Sequence, residues 1–368
     1  MRITLILLLT LLSCACIAND GSYKMSGDQL IPITNDDISI LKEVLTIKRT
    51  GNDLQVTVDY TFYNHGPAED VIVGFEAYSP EGDVTLVPAK GQHPYMHDFN
   101  VMMNNRQLSY QVAYVSDSNY LHNNTIRSRS LRDIQKEAAD GDPGFFYVYH
   151  FKAPFKKGEN RITHIYTYEL NSFVMHYWNF DYVLTAANRW KDGIIKDFTL
   201  ILDMGDYESF QVPRSFFTDN NEWQLSGKGR LSSGYNDEAE DVKNTLQADI
   251  HTGRLIFRKQ DFHPTANLHV YSPRYLEHRN FRPGGSLPLN LRMEEYEYFE
   301  HPGKDAALIL RNYPFARKGY VFKNPQLKAY YEKQAWYIPD PAYTGKRSTL
   351  SPEELKWLDY FEAKASTH

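Results

Sequence analysis

The sequence predicts a mainly β protein: two β-sandwich-like (immunoglobulin-like) domains followed by a small, largely helical C-terminal module. Three observations carry that prediction. Strand-length runs with period-two alternation recur from residue 38 to residue 271, separated by short turns rich in Gly, Asn and Pro. Aromatic residues make up 14% of the 368 residues, with 27 Tyr against 5 Trp, a bias that suits half-buried pleated surfaces. Beyond residue 303 the apolar period changes from that of strands to that of helices. Hydrophobic residues at 42% and charged residues at 23% are globular values, and a net charge of −6 argues against a nucleic-acid binder.

The first eighteen residues read as a signal peptide. Arg2 precedes the apolar run Ile3 to Leu12, which is the length of a secretory h-region and too short for a bilayer, where about 20 residues are needed. Two exits remain open. Cys16-Ile17-Ala18 predicts cleavage before Asn19, whereas Leu11-Leu12-Ser13-Cys14 matches a bacterial lipobox that would make Cys14 the lipidated N-terminus. Either way the protein is expected outside the cytoplasm, secreted or periplasmic, or lipid-anchored to the envelope. Both cysteines lie in this segment, so cleavage after Ala18 leaves no thiol for catalysis, disulfides or metal.

The first β domain is expected over 19–170. Val44–Arg49, Leu54–Tyr63 and Val71–Phe75 are strands joined by turns at 50–53 and 64–67. Leu54, Val56, Val58, Tyr60 and Phe62 share one face. Further strands run over 107–115, 145–151 and 161–168, the last with Ile162, His164, Tyr166 and Tyr168 on one face. A helical excursion is expected near 128–141, with Ser130 capping Leu131–Ala139, Asp133 completing the box and Gly141 ending it. A second β-rich domain is expected over 171–300, with strands at 178–184, 198–202, 255–258 and 267–271, an acidic loop at 232–244 and a linker at 283–288.

The module, 303–368, has a charge of its own. From residue 307 onward ten Lys and Arg face six Asp and Glu, and twelve aromatics lie between residues 311 and 361. Asn324-Pro325 starts one helix, with Leu327, Tyr330 and Tyr331 on its inner face. Ser351-Pro352-Glu353-Glu354 is a capping box that opens another, lined by Leu355, Leu358 and Phe361.

Tyr313-Pro314-Phe315-Ala316-Arg317-Lys318-Gly319-Tyr320-Val321-Phe322 resembles the signature of the YARHG domain, a small extracellular module of bacteria. The resemblance continues through Leu327, Tyr330-Tyr331, Trp336-Tyr337 and Pro339 and covers about 60 residues. Phe315 stands where the family has Tyr, and Lys318 where it has His, which weakens an acid–base role there. Upstream, Asn19-Asp20-Gly21, Gln29–Ile33 and Val58–Asn64 resemble an exported family of unknown function often found ahead of this module. The resemblance implies export and layout, and brings no settled activity.

Arg317, with Lys318, Tyr313 and Tyr320 around it, offers a rigid donor fork for a carboxylate or phosphate. The alternative is that Arg317 stacks on a ring and closes a helix. Trp336-Tyr337 is read either as a glycan platform or as core with a satisfied polar tip. His93 and His97 lack the Glu of a zinc helix, and Asp237, Glu238, Glu240 and Asp241 lack the pattern of a calcium loop, so no metal and no cofactor are expected. There is no Gly-x-Ser-x-Gly elbow. The first functional expectation is therefore non-enzymatic: an envelope binding or scaffold protein whose partner is an envelope polymer or another envelope protein. The alternative is an exported hydrolase or hydrolase accessory with a cleft between the β domains, for which His150, His164 and His269 are the candidate bases.

Overall fold

The computed structural model describes residues 26–28, 31–32, 37–80, 84–116, 120–122, 125–141, 144–170, 177–234, 245–273, 276, 279 and 281–366. The expected signal peptide 1–18 with Cys14, and the acidic residues 237–241, lie outside them.

The first half of the chain contributes β1 (Ser26–Asp28), β2 (Ile31–Pro32), β3 (Ile38–Thr50), β4 (Asp53–Asn64), β5 (Glu69–Tyr78) and β6 (Met96–Met103). After them come β7 (Arg106–Gln107), β8 (Tyr110–Val115), the small hairpin β9 (Leu121–His122) and β10 (Thr125–Ile126), helix α1 (Leu131–Ala139), β11 (Phe146–Phe155) and β12 (Gly158–Glu169). The second half adds β13 (Asn179–Val183), β14 (Ile195–Asp203), β15 (Glu208–Pro213), β16 (Trp223–Gly234), β17 (Thr245–Phe262) and β18 (Leu268–Tyr271). The C-terminal helices are α2 (Lys304–Arg317), α3 (Pro325–Tyr331) and α4 (Pro352–Ser366).

The locally encoded elements form as the residue pattern predicts. On β4 the predicted apolar face, Leu54 to Phe62, is buried while Gln55, Asp59 and Tyr63 are exposed. On β12 Ile162, His164, Tyr166 and Tyr168 all point inward. Ser130 accepts the Asp133 N–H at the start of α1, and Asn324 accepts from Gln326 and Leu327 at the start of α3. The capping box of α4 is reciprocal: Glu354 N–H donates to Ser351 Oγ and Ser351 N–H to Glu354 Oε2.

The protein is mainly β with a helical C-terminal region, but the described residues form one large mixed sheet in place of the two immunoglobulin-like sandwiches expected. Among the described residues sixteen strands join one mixed sheet in the order β7-β6-β12-β4-β3-β14-β17-β15-β18-β13-β1-β5-β11-β8, with β16 on β17 and β2 on β5. The two halves meet through parallel ladders, β14 on β3 and β13 on β1. The sheet folds back on itself. Phe75 of β5 meets Phe99 of β6 and Tyr166 of β12 at ring distances of 5.5 and 4.8 Å, and Phe99 meets Tyr149 of β11 at 4.9 Å. One continuous buried cluster runs from Ile38 to Val270, so residue 170 marks no break in the core. Strand spacing predicted the strands; it carries no information on which distant strands pair.

Local irregularities are placed with purpose. In β3 the register against β4 slips between Ile40 and Lys42. This bulge inserts Leu41 and moves Lys42 to the outer face and Glu43 into the interior, where it is buried. Gly227 and Gly253 pair across β16 and β17 with φ of 138° and 104°; a Cβ on either would lie about 2 Å from the opposite carbonyl oxygen.

The helical module has its own core, and it begins earlier than expected. Leu287, Leu289 and Leu291 pack with Tyr313, Trp336, Trp357 and Phe361, so the stretch read as a linker supplies inner wall. Pro314 lies inside α2 and cannot donate to the carbonyl four residues back. That carbonyl, Leu310 O, instead accepts from Trp357 Nε1 at 2.6 Å. Replacing Trp357 by Phe keeps most of the ring and leaves Leu310 O buried without a donor. We expect a loss of about 1–3 kcal/mol in denaturant unfolding, beyond what the change in ring size costs.

Candidate functional site

The six residues singled out in the module come together where it meets the sheet. Arg317 ends α2 and is 9% exposed. Its guanidinium stands 4.8 Å over the Tyr207 ring and 5.6 Å over the Tyr313 ring, and it donates to Tyr207 O at 3.4 Å. Its Nε has no hydrogen-bond partner among the described residues, so stacking more than hydrogen bonding holds the head group. Lys318 Nζ lies 5.2 Å from the same Tyr207 ring and 3.2 Å from the buried carboxylate of Glu354. Gly319 follows with φ 86°, the left-handed residue that closes the helix, and a Cβ there would meet Ile338 O at 2.5 Å.

The other polar tips are spent on the protein's own backbone. Tyr313 donates to Pro288 O and Leu289 O. Trp336 Nε1 donates to Leu287 O at 2.6 Å. Tyr337 donates to Tyr320 O at 2.6 Å, and the half-buried Tyr320 ring packs on Phe322 at 5.1 Å. The Trp336-Tyr337 pair is thus core with satisfied tips.

Around this cluster the sheet and the module are tied by further polar contacts. Glu208, at the start of β15, accepts from Arg49 at 2.7 Å and from Asn290 of the module at 3.1 Å. Burial pushes its carboxyl up, with Arg49 opposing the shift. His251 of β17 points Nε2 at Trp336 O, 2.8 Å away, so Nε2 carries the proton. Burial holds its imidazole below the usual range. Lys228 reaches Asp340 at 3.3 Å, and Tyr177 donates to Glu295 at 3.0 Å. Tail cations stack on Tyr207 of the body and a body cation, Lys228, pairs with Asp340 of the tail, so the arrangement fastens two parts of one chain.

The candidate bases are scattered. His164 is fully buried among the rings of Tyr60, Phe75, Phe99 and Tyr166, with no partner for either nitrogen among the described residues. Desolvation holds it down to about 3. His150 is half-buried on the outer face, its pKa lowered by burial. His269 pairs with Asp181 at 2.7 Å on a neighbouring strand. The boundary expected to form a catalytic cleft is instead a hydrogen-bonded ladder.

An open groove of about 460 Å³ lies on the outer face of β3, β4, β12 and β6. Cross-strand register builds it. Arg161, Thr61 and Lys42 stand side by side in one row, and Met102, Thr163, Asp59 and Val44 in the next. Thr163 Oγ1 donates to Asp59 Oδ1 at 2.7 Å. Lys42 pairs with Asp197 at 3.3 Å and Arg161 with Glu159 at 3.4 Å, both exposed. These residues escaped the sequence reading, although each occupies the outward, polar position of its strand. Their adjacency depends on the pairing of strands up to about a hundred residues apart.

Residues 289–365 match the YARHG domain. That span includes the leucine segment ahead of α2, in agreement with the module's core. Across nearly its whole length the chain resembles a candidate nutrient binding protein of Legionella pneumophila. Identity is 20% and the TM-score 0.50, over 94% of this chain and 100% of that chain; the likeness is one of fold. A yeast LTA4 hydrolase (8% identity, TM-score 0.28, 66% of this chain and 30% of that one) and a Deinococcus radiodurans M1 zinc metallopeptidase (7%, 0.22, 64% and 42%) are too remote to bear on this chain. No curated protein sequence matches it.

Two outcomes follow from this geometry. Arg317→Ala removes the stack on Tyr207 and should destabilise the protein by about 2 kcal/mol. Arg317→Lys should recover only part of that, because an ammonium lacks the planar head. A double-mutant cycle with Tyr207→Ala should show positive coupling in denaturant unfolding. For His164 the folded pKa lies below the ordinary 6.5, so the unfolded chain takes up the proton first. Stability should fall as pH drops from about 6.5 toward about 3. His164→Leu should flatten that slope in a pH series of urea melts.

Proposed function

We propose that this is a non-catalytic binding protein of the bacterial cell envelope, exported and either released or held by a lipid on Cys14. Its partner is an envelope polymer or an envelope protein. The observation that carries the reading is the groove over β3, β4, β12 and β6: an open, polar cleft on a rigid face, lined by charged and hydroxyl side chains in fixed rows. In this reading the YARHG module is a brace. Its signature residues are used in docking, so ligand contact falls to the sheet. The fold shared with a candidate nutrient binding protein supports a binding role.

The test fills the groove. Thr61 is half-buried on the outer face of β4, and Trp is well tolerated at such a strand position. Full-length protein is immobilised and challenged with fractionated envelope polymers and envelope proteins. We expect capture of one fraction, reduced at least about tenfold by Thr61→Trp, with the thermal midpoint unchanged within a few degrees. Capture unaffected by Thr61→Trp would overturn the assignment of the groove.

A further inference from the structure

We infer that the groove takes a neutral, polyhydroxylated polymer, a glycan, in preference to an ion or a peptide. This rests on the binding reading above and narrows it. The first argument is electrostatic. Both groove cations already have a carboxylate beside them, Lys42 with Asp197 and Arg161 with Glu159. A bound anion would have to compete with these acids and would meet Asp59 as well. Exposed pairs of this kind are weak and rearrange readily, so a hydroxyl group can insert between partners, accepting from the cation and donating to the acid, without stripping a charge.

The second argument is the hydroxyl-matching geometry. Asp59 is oriented by Thr163 through Oδ1, and its Oδ2 has no hydrogen bond among the described residues. Thr61 stands next to Asp59 on the same face, between Arg161 and Lys42. One row thus offers the donors Arg161 and Lys42 on either side of a hydroxyl and the next row offers the acceptor Asp59, a mixture that suits hydroxyls, which both donate and accept. Met102, 41% exposed, offers an apolar patch for a ring's C–H face.

The third argument excludes a peptide. Extended peptides bind sheets by adding to an unpaired edge. The groove lies on a face, and its strands β3, β4 and β12 are each paired on both sides. Those three strands offer no backbone edge, and on the fourth, β6, Met102 and Met103 are paired with β7. The groove crosses four strands, about 14 Å at ordinary strand spacing, which fits a short run of sugar units better than a single one.

The experiment uses the full chain and titrates it calorimetrically with cellotriose, chitotriose and maltotriose as neutral probes, trigalacturonate as the anionic probe and trialanine as the peptide probe. Asp59→Asn, close to isosteric at an exposed site, keeps an oxygen for Thr163 but removes the charge and turns the second carboxylate oxygen from acceptor to donor. The expected result is that at least one neutral trisaccharide binds, that trigalacturonate binds no tighter, and that Asp59→Asn weakens the neutral probe about tenfold at an unchanged melting temperature. Binding of trigalacturonate alone would overturn the neutral-ligand assignment, and binding of trialanine alone the glycan assignment, while either leaves a binding groove. The same holds if no probe binds yet envelope capture is still lost in Thr61→Trp. No probe bound, together with capture indifferent to Thr61→Trp, would bring down both readings.

Discussion

The parallel ladder between β3 and β14 is the constraint on which the rest depends. It joins residues 40–48 to residues 195–203, and each strand is flanked on its other side by an antiparallel partner, β4 and β17. Parallel strands are stable when buried on both faces or embedded within a larger sheet, and here the inner face carries Leu45, Ile47, Phe198, Leu200 and Leu202, all fully buried. The ladder makes one core out of what would otherwise be two. It also spaces the two polar regions of the molecule. Near one end of β3 the bulge sets Lys42 on the groove row. At the other end Arg49 stacks 5.2 Å over Trp178 and pairs with Glu208, the acid that receives the module.

The YARHG module completes that scheme through local chemistry. Its indoles repair its own backbone: Trp357 supplies the donor that Pro314 lacks, and Trp336 closes onto the leucine segment at Leu287. The signature Arg317-Lys318-Gly319 then ends α2 over Tyr207, a residue with φ of 55° between β14 and β15. Cations gathered at a helix C-terminus are favoured by the helix dipole, and here they also meet aromatic faces of the body. Arg317 and Lys318 are accommodated by the Tyr207 ring, the Tyr207 carbonyl and the module's own Glu354.

What was legible in the chain was local. The hairpin of β3 and β4, the inward face of β12, the Ser130 cap, the Asn324-Pro325 start and the Ser351–Glu354 box each depend on residues within a few positions of one another, and each formed as read. The module's signature was visible too, together with the choice between ligand fork and ring stack for Arg317. Illegible were the events that depend on distant partners. Nothing near Val44 announces Thr199 as its neighbour. The one-residue slip at Leu41 is invisible until β4 lies beside it, yet it decides that Lys42 faces out. Leu287, Leu289 and Leu291 were masked by Pro283, Gly284, Gly285 and Pro288, whose turn chemistry reads as linker while the leucines among and after them pack. The groove is the sum of such pairings, which is why its residues stood in the sequence as unremarked polar positions.

The most direct test of a single continuous sheet is native-state hydrogen exchange resolved to β3, β14, β12 and β17. If the ladder makes one cooperative unit, the amides of Val44–Ile47 and Thr199–Leu202 will share the same high opening free energy, and with them those of β12 and β17. If residues 177–271 open and exchange as a unit while β3, β4 and β12 stay protected, the halves are separate domains and the account fails.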